Sequence, residues 1–352
     1  MKKIIYISVL FTSLLILAIT MGFGNYKAEI SAEIHADKVS IEKPNQKIDP
    51  VPPNKLVIVE QGKALLPEDA NYLGSCRFDP DGNAYIRAMR IHNGQTQYSI
   101  LRIAAQTMEV TQIAIPNLGQ KWLMGFDLDS GGLIHALFQD ESGNGFVSVF
   151  NSEGGVIFRF NTEGFAPNNI FVDPQGLNWI TGIPSGGKLL SFGKVLSGET
   201  QLRIYDSSGA LMGVPLGGLK GGEELGALHF DSEKAFFVSN NNAVIYSFAG
   251  AKFQKAREWI PRKGPKSDWV LLGVTKHNGR YVWYGASRAS SSSKAFGLGF
   301  IGISDEEWNQ VYEEAMLPAQ YSQVAGIDHL GNLFSFAQTD GRTVLIKSKL
   351  NL

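Results

Sequence analysis

Short apolar-rich runs follow one another from about residue 55 to the C-terminus, and turns rich in Asp, Gly and Asn separate them. One pattern recurs: an apolar residue, Asp, two variable positions, Gly, one more variable position, then an apolar residue and an aromatic. It appears as Phe78-Asp79-Pro80-Asp81-Gly82-Asn83-Ala84-Tyr85, Val172-Asp173-Pro174-Gln175-Gly176-Leu177-Asn178-Trp179 and Ile327-Asp328-His329-Leu330-Gly331-Asn332-Leu333-Phe334. Shorter copies start at Phe126-Asp127 and Phe230-Asp231, and a degenerate one spans Val274 to Tyr281. About a dozen residues before each copy, a proline follows an apolar residue: Pro67, Pro116, Pro167, Pro215, Pro261 and Pro318, at steps of 49, 51, 48, 46 and 57 residues. Proline lacks an N–H donor, so it suits the end of an edge strand.

The first full repeat predicts four strands, Gly74–Asp79, Ala84–Ile91, Gln97–Ala104 and Met108–Ile115. The second predicts Leu123–Asp127, Leu133–Gln139, Phe146–Asn151 and Val156–Phe160. Four antiparallel strands repeating every ~40–50 residues define a β-propeller blade. The last repeat has room for three strands only, Val324–Asp328, Leu333–Gln338 and Thr343–Lys347. The segment Lys55–Leu66 has the composition of the missing fourth, so the expected fold is an all-β, six-bladed propeller closed by an N-terminal strand. Two stretches depart from the period. Residues 183–200 predict a long hairpin tip. Residues 304–317 carry a capping box at Ser304 and Glu307, predicting a helical turn before a strand.

Charge is balanced, with 32 Lys plus Arg against 33 Asp plus Glu, which argues against nucleic acid as a partner. The single cysteine, Cys76, excludes an intramolecular disulfide and aligns with core positions of other repeats. Met1-Lys2-Lys3 precedes an apolar run from Ile4 to about Met21, which reads as an export signal or an uncleaved anchor. Residues 1–24 are therefore a signal peptide or signal anchor, 25–54 a proline-containing tether, and 55–352 the propeller. The bulk of the chain is expected outside the cytoplasmic membrane, secreted, periplasmic or anchored facing outward.

In a propeller, the loops from one blade's outer strand to the next blade's inner strand meet around the channel on one face. The proline signal places there the ligand-binding candidates Tyr72, Trp122, Asn168, Asn169, Glu224, Asp268, Trp269 and Tyr321. Four of these are aromatic and the rest polar, a composition suited to recognition. The Asp of each Asp-x-x-Gly turn is expected to cap its own hairpin. None of the six histidines pairs at metal-ligand spacing, and no nucleophile elbow, Walker loop or Cys-x-x-Cys occurs.

Residues 55–352, through their Asp-Pro-x-Gly-x-x-aromatic hairpins, resemble the six-bladed propellers of the NHL and gluconolactonase-like (SMP-30) superfamily. Ala166-Pro167-Asn168-Asn169 with Asp173-Pro174-Gln175-Gly176-Leu177-Asn178-Trp179 is similar to the lactonase segment whose asparagine binds a divalent metal. The resemblance implies Asn168 as a metal ligand and Glu68 in place of the family's early glutamate. Asn169 stands where the family has Asp, Gly221–Gly226 lacks its second Pro-Asn-Gly, and Asn240 and Asn241 occupy the region of its catalytic aspartate. The expectation is a non-catalytic, cofactor-free binding module for a protein, peptide or glycan. The alternative is a hydrolase using calcium or another divalent cation.

Overall fold

The computed structural model describes residues 56–92, 95–115, 122–162, 164–184, 200–219, 225–231, 234–239, 243–249, 252–259, 269–287, 299–307, 309, 311, 315–316 and 323–351. Twenty-four strands and no helix occur among them. The signal or anchor, the tether and most of the 183–200 hairpin tip lie outside the described residues.

The strands follow the repeat. β1 (Val57–Leu65) comes first. Four up-and-down sheets then succeed one another: β2 (Asn71–Phe78), β3 (Ala84–His92), β4 (Gln95–Ile103) and β5 (Val110–Ala114); β6 (Trp122–Leu128), β7 (Ile134–Gln139), β8 (Gly145–Phe150) and β9 (Val156–Thr162); β10 (Phe165–Val172), β11 (Asn178–Pro184), β12 (Thr200–Tyr205) and β13 (Leu211–Leu219); and, after an interval, β18 (Trp269–His277), β19 (Arg280–Ser287), β20 (Gly299–Ser304) and β21 (Ala315–Met316). The interval holds β14 (Leu225–Asp231) paired with β15 (Lys234–Ser239), and β16 (Ala243–Ala249) paired with β17 (Lys252–Trp259). The last sheet is β22 (Gln323–Ile327), β23 (Asn332–Thr339) and β24 (Arg342–Asn351), with β1 paired antiparallel to β24 from Val57↔Asn351 to Leu65↔Val344.

The chain is thus an all-β propeller of four-stranded antiparallel blades. Five complete blades are present among the described residues, not the six expected. The repeat from Leu225 to Trp259 forms two two-stranded sheets with no hydrogen-bonded ladder between β15 and β16. The connection between them, residues 240–242, lies outside the described residues.

The core lies in the seams between neighbouring sheets. Cys76, Ala84 and Ile86 of the first sheet pack with Ala325, Phe334 and Leu345 of the last. Tyr85 and Ile100 pack with Phe126, Phe138 and Phe150 of the next sheet, and Leu137 and Val147 with Phe165, Ile170 and Ile180 of the one after. Cys76 is buried in this way, and burial pushes its thiol pKa up, so it is an inert core residue.

Two local devices recur along the repeats. The first is a bulge in every first strand: the register shifts between Leu73 and Arg77, Leu123 and Gly125, Pro167 and Asn169, Leu225 and Ala227, Leu271 and Gly273, and Val324 and Gly326. A bulge sharpens the strand's bend and re-aims its side chains. Pro167 therefore sits inside β10, next to its bulge, rather than at the end of the preceding outer strand. There the ladder is already broken, so the missing N–H costs little.

The second device is the capped turn. Asp79 Oδ1 accepts the amides of Asp81 at 3.1 Å and Asn83 at 2.9 Å, and Oδ2 accepts Asn83 Nδ2 at 2.7 Å and the Tyr85 hydroxyl at 3.0 Å. Gly82 takes a φ of +78°, which closes the turn. The same i+2 and i+4 amide capture recurs at Asp129, Asp140, Asn151, Asp173, Asp206 and Asp328. Asp305 makes its variant with Asn309, at 2.7 Å to the amide and 3.0 Å to Nδ2. A side-chain turn of this kind stands where the Ser304–Glu307 capping box predicted the start of a helix, because Asp305 offers the backbone a competing acceptor.

Replacing Asp79, which is 7% exposed, with alanine leaves its buried donors unsatisfied, and the expected loss is about 3 kcal/mol. The midpoint of urea unfolding measures it. Asp206 caps a more exposed turn with no buried aromatic or amide side chain on it, so Asp206→Ala should shift the midpoint less.

Candidate functional site

A cavity of about 440 Å³ is lined by the C-terminal ends of β2, β6, β10, β14, β18 and β22 and the turns that follow them. These strands are the first of their repeats, so the cavity lies in the channel at the end where the capped turns gather. The loops carrying the sequence candidates start those strands and belong to the opposite end.

The wall of the cavity is held by side chains that cross from sheet to sheet. Arg77, on β2, donates from Nε to the Phe126 carbonyl of β6 at 3.2 Å and pairs with Asp127 at 3.4 Å. Its guanidinium lies 5.0 Å from the centre of the Phe171 ring on β10. Asp127 in turn accepts the Val172 amide of β10 at 2.8 Å. One arginine and one aspartate thus tie three successive sheets. Burial raises the Asp127 pKa above the ordinary carboxylate value, while the Arg77 charge and the Val172 amide oppose it. Behind this pair, Arg87 donates to the Leu123 carbonyl at 2.5 Å and to that of Met124.

His135 of β7 reaches Asn178 of β11 at 2.6 Å and Asp129 at 3.4 Å. On the far side, His277 contacts the His329 carbonyl at 2.9 Å, linking the β18 and β22 sheets. A Cβ on Gly331 would lie 2.6 Å from the His277 ring, so this glycine makes room for the histidine. His135 and His277, which sequence spacing set aside, are therefore ties between blades. Their signal was long-range, with Asn178 lying 43 residues beyond His135.

At the opposite end, two of the sequence candidates, Tyr72 and Glu68, share one neighbourhood. Tyr72 on β2 is half-buried, donates its hydroxyl hydrogen bond to the Pro67 carbonyl, and stacks on Phe336 with centroids 6.2 Å apart. Burial pushes its pKa up to about 12; Arg90 and Arg342 oppose the rise and Asp69 adds to it. Around it, Arg90 pairs with Asp69 at 3.1 Å and Arg342 with Glu68 at 2.6 Å. Glu68, offered by the resemblance as a metal ligand, is held by this arginine. Asn168 is exposed at the β10 bulge, and Asn169 Oδ1 accepts the Ile170 amide at 2.9 Å. Trp122 opens β6 opposite Gln139, and Trp269 opens β18 opposite Ser287. Glu224, Asp268 and Tyr321 lie outside the described residues. Among the described residues, no three His, Cys, Asp or Glu side chains gather at metal-binding distance.

No protein-family profile matches the chain, and no curated protein matches it in sequence. Its fold matches solved structures. A member of the DUF4221 family from Bacteroides vulgatus superposes with a TM-score of 0.55 at 11% identity, over 85% of this chain and 99% of that one. The WD40 domain of Neurospora crassa Pan2 gives 0.49 at 10% identity, over 85% and 99% of the two chains. A protein of unknown function from Bacteroides caccae gives 0.44 at 11% identity, over 75% and 94%. At these identities the likeness is one of fold.

Proposed function

We propose that this chain is a non-catalytic binding propeller that engages a protein, peptide or glycan on the face carrying Tyr72, and that the apolar run of residues 4–21 exports it or holds it at a membrane. The observation that carries this reading is the engagement of the ionisable side chains. Asp79, Asp129 and Asp173 cap turns, and Arg77 and Asp127 clamp blades. A catalytic carboxylate needs an open coordination site or a proton to move, and these carboxylates are saturated by structural donors.

The Tyr72 face has the opposite character. An aromatic ring with a raised pKa stands among two exposed ion pairs, Asp69–Arg90 and Glu68–Arg342, whose partners can exchange to an incoming ligand. On this reading Trp122, Asn168, Asn169, Glu224, Asp268, Trp269 and Tyr321 extend the same face. The ring counts six blades, with β14 to β17 as the sixth and β1 as the closing strand. The period of the sequence and the β1–β24 ladder support that count. The relation to the NHL and gluconolactonase-like propellers remains part of this proposal, resting on the hairpin motif.

The test is crosslinking of the purified chain to a cell-envelope extract, set beside a Tyr72→Ala/Arg90→Ala variant. A saturable partner captured by the parent and lost in the variant is the expected result. Equal capture by both, or calcium-dependent lactone hydrolysis abolished by Asn168→Ala, overturns it.

A further inference from the structure

One polar side chain enters the cavity from a second strand. Tyr284 belongs to β19 and pairs across the ladder with Gly273 of β18, whose edge faces the channel. A Cβ built on Gly273 would lie 2.4 Å from the Tyr284 hydroxyl oxygen. Any larger residue there would block the phenol, so the glycine is the gap through which it reaches the cavity. The matching glycines, Gly125 and Gly326, also follow bulges, but they face Leu137 and Phe334. Among these three positions, only the β18 sheet places a hydroxyl at the gap.

That hydroxyl has no hydrogen-bond partner among the described residues, and neither has that of Thr275 on the adjoining strand. The two residues are 8% and 4% exposed. Both oxygens open onto the cavity and are engaged by no side chain or backbone group among the described residues, so both are available to an occupant. Arg77 adds a cation to the same wall. Its Nε is engaged by Phe126 and Asp127, and its plane is seated on Phe171. Its two terminal nitrogens make no hydrogen bond among the described residues. It is near enough to Tyr284 for its charge to favour the phenolate, yet burial prevails and carries the tyrosine to about 12. At neutral pH the phenol is therefore a neutral donor.

The Tyr284 and Thr275 hydroxyls and the Arg77 terminal nitrogens offer hydrogen-bond donors to the cavity. The neighbouring carboxylates Asp79 and Asp173 are saturated by turn amides and by Tyr85 or Trp179. Asp127 and Asp129 also line it, the first engaged by Arg77 and the Val172 amide, the second by turn amides and His135; the apolar part of the wall includes Phe78, Leu128, Val172, Phe230 and Ile327. The volume of about 440 Å³ falls in the range of small-molecule sites.

We propose that the channel cavity binds a small organic carboxylate with an apolar body, its carboxylate received by the Arg77 guanidinium and the Tyr284 hydroxyl. Arginine's paired N–H groups match a carboxylate's two oxygens, and a charged acceptor strengthens each bond. This site is separate from the Tyr72 face and does not depend on it.

Calorimetric titration of the full chain with benzoate, benzyl alcohol and benzylamine tests the proposal. Saturable binding of benzoate is expected, with the alcohol weaker and the amine absent. Tyr284→Phe is expected to weaken benzoate about tenfold, the loss of one hydrogen bond to a charged group. It should leave the ligand-free melting temperature unchanged or slightly higher, because no internal bond is removed. No saturable benzoate binding, equal binding of benzylamine, unaltered affinity in Tyr284→Phe, or a lowered melt in that variant each overturns the proposal.

Discussion

Gly302→Ala is expected to lower the melting temperature by about 6 °C, from a destabilisation of about 3 kcal/mol. Gly302 on β20 pairs with Trp283 on β19, and a Cβ added there would lie 1.7 Å from Trp283 Cζ2 and 2.1 Å from Cε2. The indole covers the backbone of its own cross-strand partner, an arrangement that only glycine permits. Trp283 cannot step aside. It is 1% exposed, packs edge-on against Phe300 at 5.6 Å, and donates from Nε1 to Ser304 Oγ at 3.3 Å. An alanine forces either an off-rotamer indole or a wider β19–β20 spacing. Thermal melts of Gly302→Ala and of Gly302→Ala/Trp283→Leu measure the effect. The double variant should recover part of the loss, because the smaller side chain vacates the collision. An unshifted melt for the single variant would show that the ring does not cover the glycine.

Arg77→Met is expected to cost about 3 kcal/mol at neutral pH, because it strands the largely buried Asp127 carboxylate without its cation. It also removes the contacts that Arg77 makes with Phe126 and Phe171 on two neighbouring sheets. The loss has a pH signature. Burial already holds the Asp127 pKa above its unfolded value, so the folded state keeps the proton more readily than the unfolded one. A raised carboxylate pKa means stability falls as pH rises from the unfolded value through the folded one. Removing Arg77 takes away the leading opposing influence, raises the folded pKa further and extends that window upward. The deficit of Arg77→Met relative to the parent should therefore shrink as pH is lowered from 8 to 5. Arg77→Met/Asp127→Asn should regain part of the stability at pH 8, since an amide oxygen can still accept the Val172 amide. Urea unfolding of the parent and both variants at the two pH values decides the matter. A deficit independent of pH would mean that Asp127 does not carry the cost.

The strands of the first two repeats were legible in the sequence to within a few residues. The signal there is local: apolar runs ended by Asp-x-x-Gly turns whose aspartates capture amides two and four residues on. The same locality explains where the pattern misled. Ser304 and Glu307 satisfy a helix capping rule, but Asp305 and Asn309 satisfy a turn rule better at the same place. The Ala166-Pro167 pair keeps the spacing of an outer strand's end, yet lies two residues into β10. A bulge that no periodicity announces absorbs the proline there.

Of the candidate site, the sequence brought out the polar and aromatic loops. Tyr72 and Glu68 indeed share a neighbourhood with Arg90, Asp69 and Arg342. The cavity at the other end was not visible. Its chemistry depends on a glycine on one strand lying under a tyrosine on the next, and on an arginine reaching an aspartate 50 residues away.

By itself, the chain determined its repeat and its strand-and-turn alphabet. Both follow from alternation and turn chemistry within a few tens of residues. Only the tertiary structure decided which charged groups remain available. Burial and partners from other blades, not residue type, settle whether an aspartate, an arginine or a tyrosine holds the ring together or faces a ligand.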